Sequence, residues 1–298
     1  MQQMKVWIDG QLYDKEDAKI SVFDHCVLYG DGVFEGIRIY DGCIFRLKQH
    51  LERLWSSARY IRLEIPMSYE ELRDAIVETI RANGLNDGYI RLVVTRGTGD
   101  LGLDPRLCPK ATIFIIAASI KLYPQSDYDN GLEIVTVPSN RFNVAAWNGR
   151  VKSCNYLNNI MAKMEGQLAN VREALMLDHN GFVVECTGDN VFLVKDGVLT
   201  TPPCYLGALR GITRDAIMEL AEKDGMVVKE EPFTRFEVYD ADEVFLTGTA
   251  AEAIPVVKID GRPIGDGKPG PVTRELIARF HTIVTTDGEM VYEKAAAK

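Results

Sequence analysis

Lys152 stands in the run NGRVKSCNYLNN, residues 148–159, among amide, aromatic and small side chains, and the next acidic residue downstream is Glu165. Leu157, Ile160, Met161, Met164 and Leu168 follow a helical spacing, which predicts a helix from about Asn155 with Lys152 just before its N-terminus. The positive end of a helix dipole, and burial beside Val151, Cys154 and Tyr156, both disfavour an ammonium there. A neutral amine is what Schiff-base chemistry with an aldehyde requires. A snorkelling or ion-paired lysine fits the same local sequence.

An amine used in this way with pyridoxal phosphate needs three partners: a phosphate cradle, a carboxylate for the ring nitrogen and a group near the ring hydroxyl. In LRGITRDAIMEL, Gly211-Ile212-Thr213 leads directly into a helical pattern, so backbone N–H groups and the Thr213 hydroxyl could converge on an anion. Thr213 would serve equally as a simple N-cap. The strand in FLTGTAAEAIPV ends in Gly248-Thr249-Ala250-Ala251, small residues whose amides could bind a second anion. Glu185 closes the strand GFVVE after an Asn180-Gly181 turn, and at a pyridine nitrogen it would hold a proton there. A plain strand-to-turn and a solvated strand-end glutamate are the alternatives, and no one motif decides between them.

The elements that must position these residues read as α/β, or more strictly α+β. With 298 residues, 46% hydrophobic and 26% charged, the chain is long enough for one large or two medium domains, each with its own core. Asp9-Gly10 and Asp41-Gly42 predict hairpins. Two helices follow, the second opening on a Ser68-x-x-Glu71 capping box and stopping at Asn83-Gly84. Strands YIRLVVTRG and ATIFIIAAS then flank GTGDLGLDP, a loop that does not match the dinucleotide fingerprint G-x-G-x-x-G. Periodicity lapses in KLYPQSDYDNG, which places a linker at 121–131 between a small domain, 1–120, and a larger one, 132–298. That second part alternates strands with helices at about 155–169 and 213–224 and a last helix from about Val272.

Composition narrows the partners. A net charge of −9, from 34 basic and 43 acidic residues, leaves no cation excess for nucleic acid or an anionic membrane and favours a small-molecule partner. No run nears the roughly 18 apolar residues of a span, and MQQMKVWIDG lacks a signal-peptide core, so a cytoplasmic protein is expected. Six scattered cysteines without a C-x-x-C pair read as reduced thiols, and the spacing of the four histidines suggests no metal site.

The motifs occur in a telling order. YGDGVFEGIR (29–38), HLERL (50–54), YIRLVVTRGTGDLGLDPR (89–106), VKSCNYLNNIMAKMEG (151–166), ECTGDNVFLVKDG (185–197), GITRDAI (211–217), LTGTAAEAIPV (246–256) and DGRPIGDGKPGPVTREL (260–276) resemble the successive signatures of branched-chain amino-acid aminotransferases, class IV enzymes of the fold-type IV pyridoxal phosphate group. The resemblance covers nearly the whole chain. It implies a small N-terminal α/β domain and a larger C-terminal α/β domain around a barrel-like sheet, with pyridoxal 5'-phosphate between them.

Carried over by motif, Lys152 would form the Schiff base and shuttle the proton between substrate Cα and cofactor C4′. Tyr156 would bond the ring hydroxyl, Glu185 the ring nitrogen, and Leu209 would pack on the ring. Arg53, the Ile212 and Thr213 amides and Thr249 would hold the phosphate. For the substrate, the resemblance implies Tyr89 and the Thr249 and Ala250 amides at the α-carboxylate. Tyr29, Phe34 and Gly36 would shape the side-chain pocket, completed by Leu101 or Leu103 of a neighbouring subunit in a homo-oligomer. Arg91 would meet the side-chain carboxylate of glutamate, and a strand reading puts it on one face with Tyr89. The implied activity is reversible ping-pong transfer between leucine, isoleucine or valine and 2-oxoglutarate. D-amino-acid aminotransferases, aminodeoxychorismate lyases and R-selective amine transaminases would share Lys152 and Glu185. YGDGVFEGIR and YIRLVVTRG resemble the branched-chain form, whereas NGRVKSCNYL also resembles the D-amino-acid enzymes. A binding protein without catalysis would be expected to lack Lys152 or Glu185.

Overall fold

Asp9-Gly10 and Asp41-Gly42 both take left-handed backbone, with φ of 47° and 98° in the first pair and 46° and 73° in the second, as a two-residue hairpin turn requires. They join β1 (Lys5–Ile8) to β2 (Gln11–Asp14) and, after α1 (His25–Tyr29), β3 (Gly32–Tyr40) to β4 (Cys43–Phe45). Helices α2 (Leu47–Tyr60) and α3 (Tyr69–Ala82) follow; Ser68 Oγ accepts from Glu71 N at 3.2 Å, and Glu71 Oε2 accepts from Ser68 N at 2.7 Å, the expected capping box. Strands β5 (Gly88–Thr95) and β6 (Thr112–Ala118) and the distant β16 (Gly288–Met290) complete an antiparallel seven-stranded sheet, ordered β16-β4-β3-β5-β6-β1-β2. This computed structural model describes residues 3–120 and 122–292; Lys121, at the start of the expected linker, and residues 293–298 of the expected C-terminal domain lie outside them.

The chain divides into two compact units. The first is Met1–Ile120 with Val151–Asn155 and Ile283–Lys298; the second is Lys121–Arg150 with Tyr156–Thr282. In the first unit, Leu51 and Leu54 of α2 and Leu72 and Ile76 of α3 share a core with Ile37, Ile90 and Leu92 of the sheet. Strand alternation therefore puts Val33, Glu35, Ile37 and Ile39 on the core face of β3, and Phe34 and Gly36 on the other. The short segment carrying Lys152 runs extended beside β3. Ser153 pairs with Val33, Phe34 N donates to Lys152 O at 3.0 Å and Cys154 N to Gly32 O at 2.9 Å.

The second unit begins with α4 (Gln125–Asn130), a helix inside the stretch read as a linker, and β7 (Leu132–Thr136). Then come α5 (Leu157–Leu168), β8 (Glu173–Leu177), β9 (Val183–Cys186), β10 (Asn190–Lys195), β11 (Val198–Thr201), α6 (Ile212–Lys223), β12 (Val227–Glu230) and α7 (Arg235–Asp240). Strands β13 (Glu243–Gly248), β14 (Glu252–Ile259) and β15 (Arg262–Pro263) precede α8 (Pro271–Ile283). Nine of these strands form a mixed half-barrel sheet, ordered β12-β11-β10-β13-β14-β7-β8-β9 with β15 on β14, which is the barrel-like sheet expected.

One feature of α5 differs from the sequence reading, and a second lies beyond what the spacing could say. It starts at Leu157 with Tyr156 at its N-cap, so Lys152 lies five residues ahead of it, on the extended segment beside β3 rather than at a helix end. Its apolar stripe is also turned outward: Leu157, Ile160, Met161, Met164 and Leu168 are exposed, Leu168 by 86%, while Asn159, Ala162 and Gly166 are buried. Small residues let α5 lie close on the sheet; a Cβ at Gly166 would sit 3.3 Å from that of Ala174. Among the described residues no helix is long and apolar enough to cross a membrane.

Candidate active site

In the first unit, the aromatic ring of Phe34 collects the chemistry. Lys152 Nζ lies 4.6 Å from its centroid and Arg91 Cζ 4.5 Å from it. Arg91 Nη2 donates to the Tyr89 hydroxyl at 3.2 Å. Register explains the grouping: β5 pairs antiparallel with β3, Gly36 opposite Arg91, so Tyr89 and Arg91 share a face while Ile90 and Leu92 enter the core, as the strand reading expected. Gly36 is small because it has to be, since a Cβ there would fall 1.9 Å from the Tyr89 hydroxyl oxygen. Tyr29 is placed by a different element. At the end of α1, it accepts from Gly102 N at 3.1 Å and stacks edge-on with His25. The same loop exposes Leu101 by 70% and Leu103 by 80%. Arg53, on α2, grips Glu35 with two N–H donors at 2.7 and 2.8 Å.

The second unit holds the rest. Glu185, on β9, is buried, with Oε2 accepting from Leu209 N at 2.9 Å and Oε1 2.8 Å from Arg141 Nη2. Arg141 is buried too, and its Nη1 donates to Asn159 Oδ1 at 2.9 Å; Asn159 Nδ2 donates in turn to Thr187 O at 2.8 Å. Asn190 Nδ2 donates to Leu209 O at 2.8 Å, so Leu209 is fixed through both backbone atoms. Ile212 and Thr213 form the buried first turn of α6, whose N-cap, Gly211, offers no side-chain acceptor to the free N–H groups. Thr249 and Ala250 lie half-buried in the turn after β13. That turn is pinned on both sides, because a Cβ at Gly248 would meet Asp189 Oδ1 at 2.0 Å and Tyr128 donates to Ala251 O at 3.2 Å.

Sequence reasoning missed Arg141, Asn159, Asn190 and Glu35. A signal for Arg141 was present: no Asp or Glu occurs between Glu133 and Glu165, and the acid-free window that draws attention to Lys152 holds Arg141 as well. Glu35 was legible as a charge in the core-facing register of β3. The two asparagines carried no signal of their own, since their partners are backbone carbonyls and Arg141, distant in sequence.

In the first unit an amine and a guanidinium share one aromatic wall, and in the second a buried carboxylate is held by N–H donors. The chain belongs to the class IV aminotransferase family, whose model matches residues 32–259. It is 52% identical over 98% of its length to the whole of a Methanocaldococcus jannaschii protein described provisionally as a branched-chain-amino-acid aminotransferase. The crystal structure of the Escherichia coli branched-chain amino acid aminotransferase superposes with a TM-score of 0.93 at 37% identity, covering 96% of both chains. The branched-chain aminotransferase of the thermophilic archaeon Thermoproteus uzoniensis, solved with norvaline, gives 0.91 at 40% identity, over 97% of this chain and 100% of that one.

Proposed function

We infer that this chain catalyses reversible transamination between branched-chain L-amino acids and 2-oxoglutarate with pyridoxal 5'-phosphate. The observation that carries the reading is the Phe34 wall, where an amine able to do the chemistry and an arginine able to receive a second carboxylate meet the same ring. One pocket must take both an isobutyl-like side chain and the propionate arm of glutamate. An aromatic face with a cation at its edge serves both.

The residues fit the cofactor. Glu185 presents acceptor oxygens already matched to N–H donors, the proper partner for a protonated ring nitrogen, and the uncapped first turn of α6 suits a phosphate. Bound there, pyridoxal phosphate supplies an aldehyde with which an amine condenses and a ring that withdraws electrons. Lys152 would carry the proton between substrate Cα and the cofactor C4′. Tyr156 donates toward the ring hydroxyl, and Arg53 with the Ile212 and Thr213 amides and Thr249 holds the phosphate. Leu209, locked by Asn190 and Glu185, packs on the ring. Tyr89 and the Thr249 and Ala250 amides orient the α-carboxylate, while Phe34, Gly36 and Tyr29 exclude water from the side chain.

The enzyme works as a homo-oligomer in the cytoplasm. The exposed Leu101 and Leu103, and the outward stripe of α5, support a neighbouring copy. In the deciding experiment, L-leucine, L-glutamate, D-alanine and (R)-1-phenylethylamine are added separately to purified holoprotein while the cofactor absorbance is followed. The two L-amino acids should convert the cofactor promptly in the native chain and not in Lys152→Ala. Faster conversion by D-alanine or the amine would overturn the substrate assignment, and activity unchanged in Lys152→Ala would overturn the role of the lysine.

A further inference from the structure

His50, Arg53 and Ser57 recur at i, i+3 and i+7 along α2, so one stripe of the helix carries all three. The stripe meets two things. Ser57 Oγ accepts from the backbone N of Lys152 at 3.1 Å, and both His50 and Arg53 close on Glu35. Arg53 Nε and Nη2 take the two carboxylate oxygens as a fork, at 2.7 and 2.8 Å. His50 Nδ1 lies 2.8 Å from Oε2 and must be the donor, because an ionised carboxylate only accepts. Glu35 itself has no exposed surface. Burying a carboxylate is unfavourable unless it is fully hydrogen-bonded, and its neighbours on that face of β3, Val33 and Ile37, are apolar. Arg53 and His50 supply those bonds, and the same arrangement fixes Arg53 as firmly as it satisfies Glu35.

We propose that Glu35 is a positioning residue for the cofactor phosphate, acting through Arg53. The fork fixes the plane of the guanidinium, so the edge of Arg53 turned from Glu35 is presented in one orientation. Lys152 is tied to the same helix through Ser57 and to the same strand through the bond from Phe34 N to Lys152 O. The amine and the phosphate anchor therefore share one rigid reference. Phe34 and Gly36, flanking Glu35 on the opposite face of β3, put the substrate wall on that reference as well. The inference rests on the assignment of Arg53 to the phosphate.

Charge alone predicts the opposite of positioning. Glu35 and a phosphate repel, so neutralising Glu35 should tighten phosphate binding if only charge matters; loss of the fork should weaken it if orientation matters. The test uses full-length chain freed of cofactor and titrated with pyridoxal 5'-phosphate and with pyridoxal, which lacks the phosphate. Glu35→Gln should lose about tenfold or more in affinity for the phosphorylated form and less than about twofold for pyridoxal, because only one ligand engages the fork. In an Arg53→Ala background the same change should add nothing to that discrimination. Tighter binding of the phosphorylated form by Glu35→Gln, or an equal change for both ligands, overturns the proposal. If Arg53→Ala leaves the discrimination between the ligands intact, the phosphate assignment falls and takes the proposal with it. Should Glu35→Gln fail to fold, Arg53→Lys decides: it keeps the charge without the fork, so retained discrimination overturns positioning and lost discrimination supports it.

Discussion

At the scale of single residues, Gly36 is the most exposed to test. Gly36→Ala would press its methyl carbon onto the Tyr89 hydroxyl, which Arg91 also contacts, so the half-buried Tyr89 ring would have to shift. Displacing a substrate-orienting group by an ångström or so can cost about 10²-fold in rate. Steady-state kinetics should therefore show kcat/KM for leucine falling by that order, with thermal unfolding near that of the native chain; an unchanged kcat/KM would remove Tyr89 from the α-carboxylate. Lys152 and Arg141 could be singled out in the sequence because an acid-free window stands out against an ordinary surface. What each one touches could not, since Phe34 and Glu185 come from other strands and only the fold brings them near.

At the scale of elements, α5 carries the clearest consequence. Helical periodicity located it within two residues at its N-terminus, and local turn chemistry located the hairpins and the capping box of α3, because these signals lie within a few residues of chain. Periodicity is silent, however, on which face is buried. An apolar stripe ordinarily marks the core side, but here Asn159, Ala162 and Gly166 take that side, since Arg141 needs an amide partner and β8 needs a close approach. Exposed Leu157, Ile160, Met161, Met164 and Leu168 make an apolar stripe, and on the proposed oligomeric reading a neighbouring copy covers it. Ile160→Glu combined with Met164→Glu should lower the molar mass seen by light scattering while leaving far-ultraviolet circular dichroism unaltered. An unchanged mass would rule α5 out of the assembly.

At the scale of the whole molecule, two buried carboxyls shape the response to pH in opposite senses. Burial by itself would raise Glu35, yet the Arg53 charge and then His50 hold it from 4.5 down to about 2. Its contribution to stability is present above about pH 4.5 and is lost as pH falls toward 2. Asp189 is pushed the other way, from 3.8 up to about 7, by burial first and then by the nearby Glu173, with Lys163 and Tyr123 opposing. Its contribution is complete below 3.8 and is lost as pH rises through about 7. Asp189→Asn should accordingly gain on the native chain by up to about 1.4 kcal/mol per pH unit between about pH 5 and pH 7, then level off. Urea unfolding across that range would reveal it, and parallel curves for the two proteins would refute it. The seven-stranded sheet has a further consequence, in time rather than in space. Its outer strand β16 pairs Gly288 with Phe45 and Met290 with Cys43. On a ribosome adding about 5–20 residues per second, β4 waits some tens of seconds for that partner. Until then the growing chain leaves the β4 edge of the sheet unpaired, a template for strand pairing that exists only during synthesis.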